Sequence, residues 1–161
     1  MRELMKKLNI SINKPWINFY DEGVPKTIDY PNKMMWEVIE DSVKRNHNKL
    51  AYEYYGTSVT FKKFMLEIEE AARALKAIDV KEGDVVSIIS PNIPQAIVMF
   101  YAVNMVGAIA NMIHPLSAVN EIENYLNMSK SKYVFSVDIS VSKVLNVVNR
   151  DNVKRIIVMN I

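Results

Sequence analysis

Residues 81–116 read Lys-Glu-Gly-Asp-Val-Val-Ser-Ile-Ile-Ser-Pro-Asn-Ile-Pro-Gln-Ala-Ile-Val-Met-Phe-Tyr-Ala-Val-Asn-Met-Val-Gly-Ala-Ile-Ala-Asn-Met-Ile-His-Pro-Leu. Gly83-Asp84 turns into Val85 to Ile89, a short run rich in β-branched residues, as a strand covered on both faces should be. Asn92 is predicted to cap a helix that has Pro94 in its first turn, where a missing N–H costs little. That helix is apolar nearly all round and ends at Gly107, a left-handed C-terminal cap. Ala108 to Ile113 is the next strand. The run from Ala96 to Ile113 is apolar except for Asn104 and Asn111. It is too short and too interrupted for a membrane span, so it reads as a buried helix followed by a buried strand. Strand, helix and strand with short connections mean parallel pairing through a right-handed crossover.

The same alternation continues toward the C-terminus. Ser117 is predicted to cap a helix with Glu121 and Glu123 early in it, where the dipole favours acids. Tyr133 to Val137 is a strand, Ser140 to Val148 a helix, and Arg155 to Met159 a last strand. Toward the N-terminus, Phe64, Ile68, Ala71, Leu75 and Ile78 form a regular helical stripe behind Thr60, a good N-cap. Leu50 to Tyr55 and Ser58 to Phe61 flank Gly56-Thr57 as a two-residue hairpin turn. Met35, Val38, Ile39 and Val43 line one side of a helix over Met34 to Arg45.

Trp16 to Lys33, with Gly23, Pro25 and Pro31, reads as an extended arm wrapped over the domain. Leu4, Met5 and Leu8 suggest a short amphipathic helix, packed on its own domain or, as the alternative, touching a membrane surface. The pattern predicts an arm and short helix over 1–33 and an α/β domain over 34–161. That domain is a layered helix-sheet-helix with a mostly parallel sheet and a small N-terminal hairpin. The chain stops two residues after a buried-type strand, which predicts a truncated domain with an open last edge prone to self-association.

Composition narrows the function classes. Lys and Arg number 20 against 18 Asp and Glu, a net charge of +2, so nothing favours nucleic acid or a polybasic membrane contact. There are no cysteines, which removes disulfides, thiolate nucleophiles and thiolate zinc sites together. The two histidines, His47 and His114, form no HExxH pair, and no metal site is predicted. The N-terminus lacks the continuous apolar core of a signal peptide, and a cytoplasmic protein is expected.

Further landmarks carry a resemblance. Thr60-Phe61 closes the hairpin and opens a helix, and Lys81-Glu82-Gly83-Asp84-Val85-Val86 follows. Then come Ser90-Pro91-Asn92 before an apolar helix, Val106-Gly107-Ala108 before a strand, His114-Pro115-Leu116, and a helix led by Glu121. In this order and spacing they resemble the N-terminal region of AMP-dependent synthetases and ligases, the adenylate-forming superfamily, and its acyl-CoA synthetase branch in particular. That family usually has an acid two residues after the aromatic, where Lys62 and Lys63 follow Phe61 here, and Asp79-Val80 stands where it has Gly-Val. Asp takes a left-handed conformation more readily than most residues, so that turn should survive.

The resemblance implies the N-terminal part of an acetyl-CoA synthetase-like fold. It further implies a parent enzyme that activates a carboxylic acid, a fatty acid foremost, with ATP and Mg²⁺ to acyl-AMP and passes the acyl group to CoA. In that family the phosphate loop, the adenine motif and the catalytic lysine lie downstream. No two of Gly23, Gly56, Gly83 and Gly107 are close enough here for a phosphate loop. The fragment is therefore expected to be inactive, with no catalytic, cofactor or metal residue of its own. Thr60, Phe61, Gly83, Asp84, Pro91, Asn92, Gly107, Pro115 and Glu121 are its structural motif. His114 is the pocket candidate, because ligands gather beyond the carboxyl ends of parallel strands. The plainer reading is a loop histidine bonded to backbone. Met99 to Met112 reads as core in preference to an acyl-chain tunnel. The competing readings are a flavodoxin-like or receiver-type binding module and a degenerate, non-catalytic synthetase paralogue. A receiver needs acids at strand carboxyl ends, and Asp84 sits at the wrong end.

Overall fold

The computed structural model describes residues 14–148 and 152–160. The short helix predicted around Leu4 to Leu8 lies outside them. The chain divides into two compact units, residues 1–32 and 33–161. In the first, Pro15–Phe19 forms a 3-10 turn where the sequence predicts an extended arm. Pro15 explains the difference: its fixed φ suits a helical first position and its absent N–H loses nothing there. Residues 20–32 form neither helix nor strand.

The second unit runs α1 (Met35–Asn46), β1 (Leu50–Tyr54), β2 (Thr57–Thr60), α2 (Phe61–Ala77), β3 (Val85–Ile89) and α3 (Pro94–Met105). It continues with β4 (Ile109–Ile113), α4 (Val119–Ser129), β5 (Tyr133–Val137), α5 (Asp138–Val147) and β6 (Arg155–Met159). Strands β1 and β2 pair antiparallel as a hairpin. The other four form one parallel sheet in the order β4-β3-β5-β6. The mostly parallel α/β fold predicted from the sequence is thus the one observed.

Strand pleating separates two cores. Val86, Ile88, Tyr133, Phe135 and Val137 pack with Phe64, Ile68 and Leu75 of α2 and with Ala102 and Val103 of α3. On the other face Ile89, Ile113 and Val134 pack with Ile122 and Leu126 of α4 and Val144 of α5. Each fully buried aliphatic side chain, such as Ile88, contributes about 1.5–3 kcal/mol of transfer free energy.

Both amides that interrupt the apolar run have partners. Asn104 Oδ1 accepts the Trp36 N–H at 3.1 Å, serving the first turn of α1. Asn111 Nδ2 donates to Ser87 Oγ at 2.8 Å and Ser129 Oγ at 3.1 Å, and Ser131 completes this buried network. Among the described residues no helix is long and apolar enough to cross a membrane.

Helix ends show where local rules held and where they shifted. Thr60 Oγ1 accepts the Lys63 N–H at 3.3 Å. At the end of α3, Gly107 has φ +76; its N–H reaches the Asn104 carbonyl and the Ala108 N–H reaches that of Val103. These are the two bonds of a Schellman motif. Asp79 closes α2 in the same way with φ +68, so the Asp-for-Gly departure keeps the turn.

Three local assignments move by one residue. The hairpin turn is Tyr55-Gly56 rather than Gly56-Thr57, with φ +46 and +79, because a two-residue I′ turn needs positive φ at both positions. The N-cap of α3 is Ile93, not Asn92, and no side chain caps it. Ile93 is held extended by the proline after it and is buried at 3% exposure, leaving Asn92 outside in solvent. The N-cap of α4 is Ala118, not Ser117. Glu121 Oε2 accepts the Ala118 N–H at 2.8 Å, so the acid three residues in ties the N-cap backbone as the reciprocal half of a capping box, with no capping hydroxyl opposite it.

Candidate functional site

Helix α3, which follows β3, lies on one face of the sheet, and α5, which follows β5, lies on the other. Since β3 and β5 are neighbours, the strand order reverses between them. In open α/β sheets ligands bind beyond the carboxyl ends of the strands at such a switch point. The edge there is built from the Ser90–Ile93 loop, the His114–Ala118 loop and the β5–α5 junction.

The His114 loop is tied down at several points. His114 is exposed; its Nδ1 accepts the Leu116 N–H at 3.2 Å and its carbonyl accepts the Ser117 N–H at 3.1 Å. This is the backbone-bonded loop histidine. Pro115 is buried, and its carbonyl accepts the Ser140 hydroxyl at 3.2 Å. Lys143 Nζ donates to the Pro115 carbonyl at 3.4 Å and to the Ser117 carbonyl at 3.1 Å. Ser140 and Lys143 were not legible in the sequence, since nothing local marks a residue of α5 as a clamp on the β4–α4 loop.

On the α2/α3 face a cleft of about 470 Å³ opens over β5 and β6, lined by Val98, Met99, Phe135, Ile157 and Met159 among others. Met99 lines the cleft and, like Met105, packs against the core. The Tyr52 hydroxyl donates to Glu67 Oε2 at 3.0 Å on the cleft's rim, and Gln95 Nε2 donates to the Asn160 carbonyl at 3.3 Å. Burial, then the bond to Glu67 and its charge, push the Tyr52 hydroxyl up to about 12.

The amino ends of the strands form a separate edge. Asp84, 4% exposed, accepts the Lys81 N–H at 3.0 Å and the Lys132 ammonium. Burial pushes this carboxyl up, but those two hydrogen bonds and the charges of Lys132 and Lys154 outweigh it and hold it below the usual range. The Asp84 carboxylate in turn raises Lys132. The Gly83 N–H donates to the Gly107 carbonyl at 2.9 Å, joining two turns at this edge.

The sequence landmarks thus do not converge. Thr60 and Phe61 open α2. Gly83, Asp84 and Gly107 shape the amino edge. Pro91, Asn92, His114, Pro115 and Glu121 shape the carboxyl edge. Among the described residues no group of three His, Asp or Glu side chains could hold a metal ion.

A profile of the family described as AMP-binding enzyme matches residues 39–160. The chain belongs to the AMP-binding enzyme family. It is 26% identical over 148 residues to a long-chain-fatty-acid–CoA ligase of Bacillus subtilis (strain 168), covering 92% of this chain and 26% of that protein. A ligase of the same description from Escherichia coli O6:H1 is 29% identical over 153 residues, covering 91% and 26%. The chain therefore spans about a quarter of the length of these relatives. The N-terminal domain of FACL13 from Mycobacterium tuberculosis superposes with a TM-score of 0.74 at 21% identity, over 78% of this chain and 34% of that one. That likeness shows the fold, an α/β sheet of the kind found in the N-terminal domain of acyl-CoA synthetases.

Proposed function

We propose that residues 34–161 form the N-terminal subdomain of the adenylation domain of an AMP-forming acyl-CoA synthetase. The enzyme carrying it activates a carboxylic acid, a fatty acid foremost, with ATP to acyl-AMP and transfers the acyl group to CoA, in the cytoplasm. The family match over residues 39–160 carries this reading, and the fatty-acid preference rests on the relatives' names.

The residues described here do not fit the nucleotide or its metal. Gly56, Gly83 and Gly107 close a hairpin turn, a strand-leading turn and a helix cap, and none belongs to a phosphate loop. The described residues also lack an acid cluster for Mg²⁺. The role left for this segment is scaffold: a parallel sheet that sets the His114 and Ser90 loops at a switch point. The apolar cleft beside it carries the Glu67 carboxylate, which would repel a carboxylate head group, so the acid substrate is not assigned there. A receiver-type role is not favoured, because Asp84 is spent on Lys132 at the amino edge.

The test is pyrophosphate release from ATP across a panel of carboxylic acids of graded chain length. It compares this chain alone with the polypeptide that joins it to the downstream region of its relatives. Acid-dependent release by the longer polypeptide and none by the chain alone is expected. Release by the chain alone, or no acid dependence in the longer polypeptide, overturns the proposal.

A further inference from the structure

At the amino edge of the sheet, opposite the switch point, Asn127, Lys130, Lys132, Asn152 and Lys154 line a cleft of about 500 Å³. All five side chains offer N–H donors, and three are cationic. Two features of the backbone make this more than a chance of surface composition. The Lys154 N–H donates to the Lys132 carbonyl at 2.7 Å, which sets these two lysines side by side at the start of β5 and β6. Like charges on adjacent strands repel and cost stability. Lys130, at the end of α4, holds φ +53, a left-handed position that glycine or asparagine fills with less strain. A charged, β-carbon-bearing residue is thus kept in a strained position with its side chain on the cleft.

Nearby acids offset part of the charge. Asp84 is committed to Lys132, and Asp79 lies 3.4 Å from Lys81 and 3.9 Å from Lys154. Among the described residues, Lys81, Lys130, Lys132 and Lys154 against Asp79 and Asp84 leave two positive charges in excess. Asp84 and Asp79 offset the repulsion between Lys132 and Lys154, and what they leave, a strained Lys130 in a concave lining of donors, is accounted for if the site is completed by an anion.

We infer that this cleft binds a compact, multiply charged phosphate-type anion, apart from the carboxyl edge where substrates of such sheets gather. Lys130 and Lys154 supply the charge the anion reads, while Lys132 remains tied to Asp84. This inference does not rest on the proposed acyl-CoA synthetase activity, and the chain itself is sufficient to test it.

Inorganic pyrophosphate is titrated into the ¹⁵N-labelled chain while backbone amide shifts are followed. A parallel arm uses phosphatidylcholine vesicles doped with phosphatidic acid. Saturable shifts confined to Asn127, Lys130, Lys132, Asn152 and Lys154 are expected, from whichever source presents the phosphate. The double substitution Lys130→Gln with Lys154→Gln should weaken binding at least tenfold. Lys130→Gly separates binding from structure: removing the strain should raise the thermal midpoint, and removing the ammonium should still weaken pyrophosphate binding. Shifts spread without saturation over the other lysines, or unchanged affinity in the double variant, would overturn the inference.

Discussion

The Asp84 carboxylate, buried at the amino end of β3, takes the Lys132 ammonium from the amino end of β5. This pair bridges the two central strands of the sheet, which have no covalent connection shorter than a helix, a strand and another helix. Asp84→Asn keeps the shape and removes the charge. It should destabilise the chain by about 1.5–3 kcal/mol, the usual worth of hydrogen bonds to a charged group, as measured by urea unfolding at neutral pH.

The same pair sets a pH dependence with a definite sign. The folded-state carboxyl of Asp84 lies below its ordinary value. Its contribution to stability is therefore present above the unfolded pKa of about 3.9 and is lost as pH falls through the lower folded value. Unfolding midpoints recorded from neutral pH downward should fall more steeply in the parent chain than in Asp84→Asn. Parallel curves would remove the pair from the account.

Among the described residues Thr60 is the one whose hydroxyl caps a helix N-terminus, and it does so in front of two lysines that the helix dipole disfavours. Thr60→Ala should cost about 1 kcal/mol, and Thr60→Ser should recover most of it. Equal unfolding midpoints for the alanine and serine variants would mean that the hydroxyl is idle.

Gly107→Ala meets two obstacles. The residue holds φ +76, and an added Cβ would stand 3.1 Å from Glu82 Cγ. The Glu82 side chain is exposed and can swing aside, so the backbone term decides, at about 1–2 kcal/mol. Urea unfolding of Gly107→Ala and of Gly107→Asn, which tolerates the left-handed region better, should rank the alanine variant lower.

Strand β6 closes the described sheet on one side, and Val158 on it is 49% exposed. An unpaired strand edge of this kind templates association, and a lysine there blunts it. Sedimentation velocity should show concentration-dependent association of the chain that Val158→Lys reduces. A chain that stays monomeric at every concentration would count against this edge as a contact.

The parallel strands were legible almost to the residue. Val85–Ile89 and Tyr133–Val137, the central pair, are the spans that their β-branched and aromatic runs predict, since strands covered on both faces leave little choice of residue, and the edge strand Arg155–Met159 also falls where its apolar run places it. The caps were less so. Asn92 and Ser117 have the right chemistry for capping, but Pro94 fixes the start of α3 and Glu121 serves the α4 terminus from inside the helix. What the sequence hides is what the topology assembles. The Ser87–Asn111–Ser129–Ser131 network, the Lys143 clamp on Pro115 and Ser117, and the Lys130–Lys154 cleft each join residues from different elements. The carboxyl edge was locatable only as a place beyond strand ends, with His114 as its visible member, because position in a sheet is a property of strand order.

Strand order also has a consequence for biosynthesis. Strand β3 is made before both of its neighbours, and β5 leaves the ribosome only after α3, β4 and α4 have been completed. A nascent chain in which β3 and β4 have paired before β5 emerges would present a two-stranded parallel ribbon with an uncovered apolar margin, the kind of species that chaperones bind. Pauses in synthesis that fall while β4 is outside the ribosome and β5 is still inside it should lengthen that exposure and lower the yield of soluble chain.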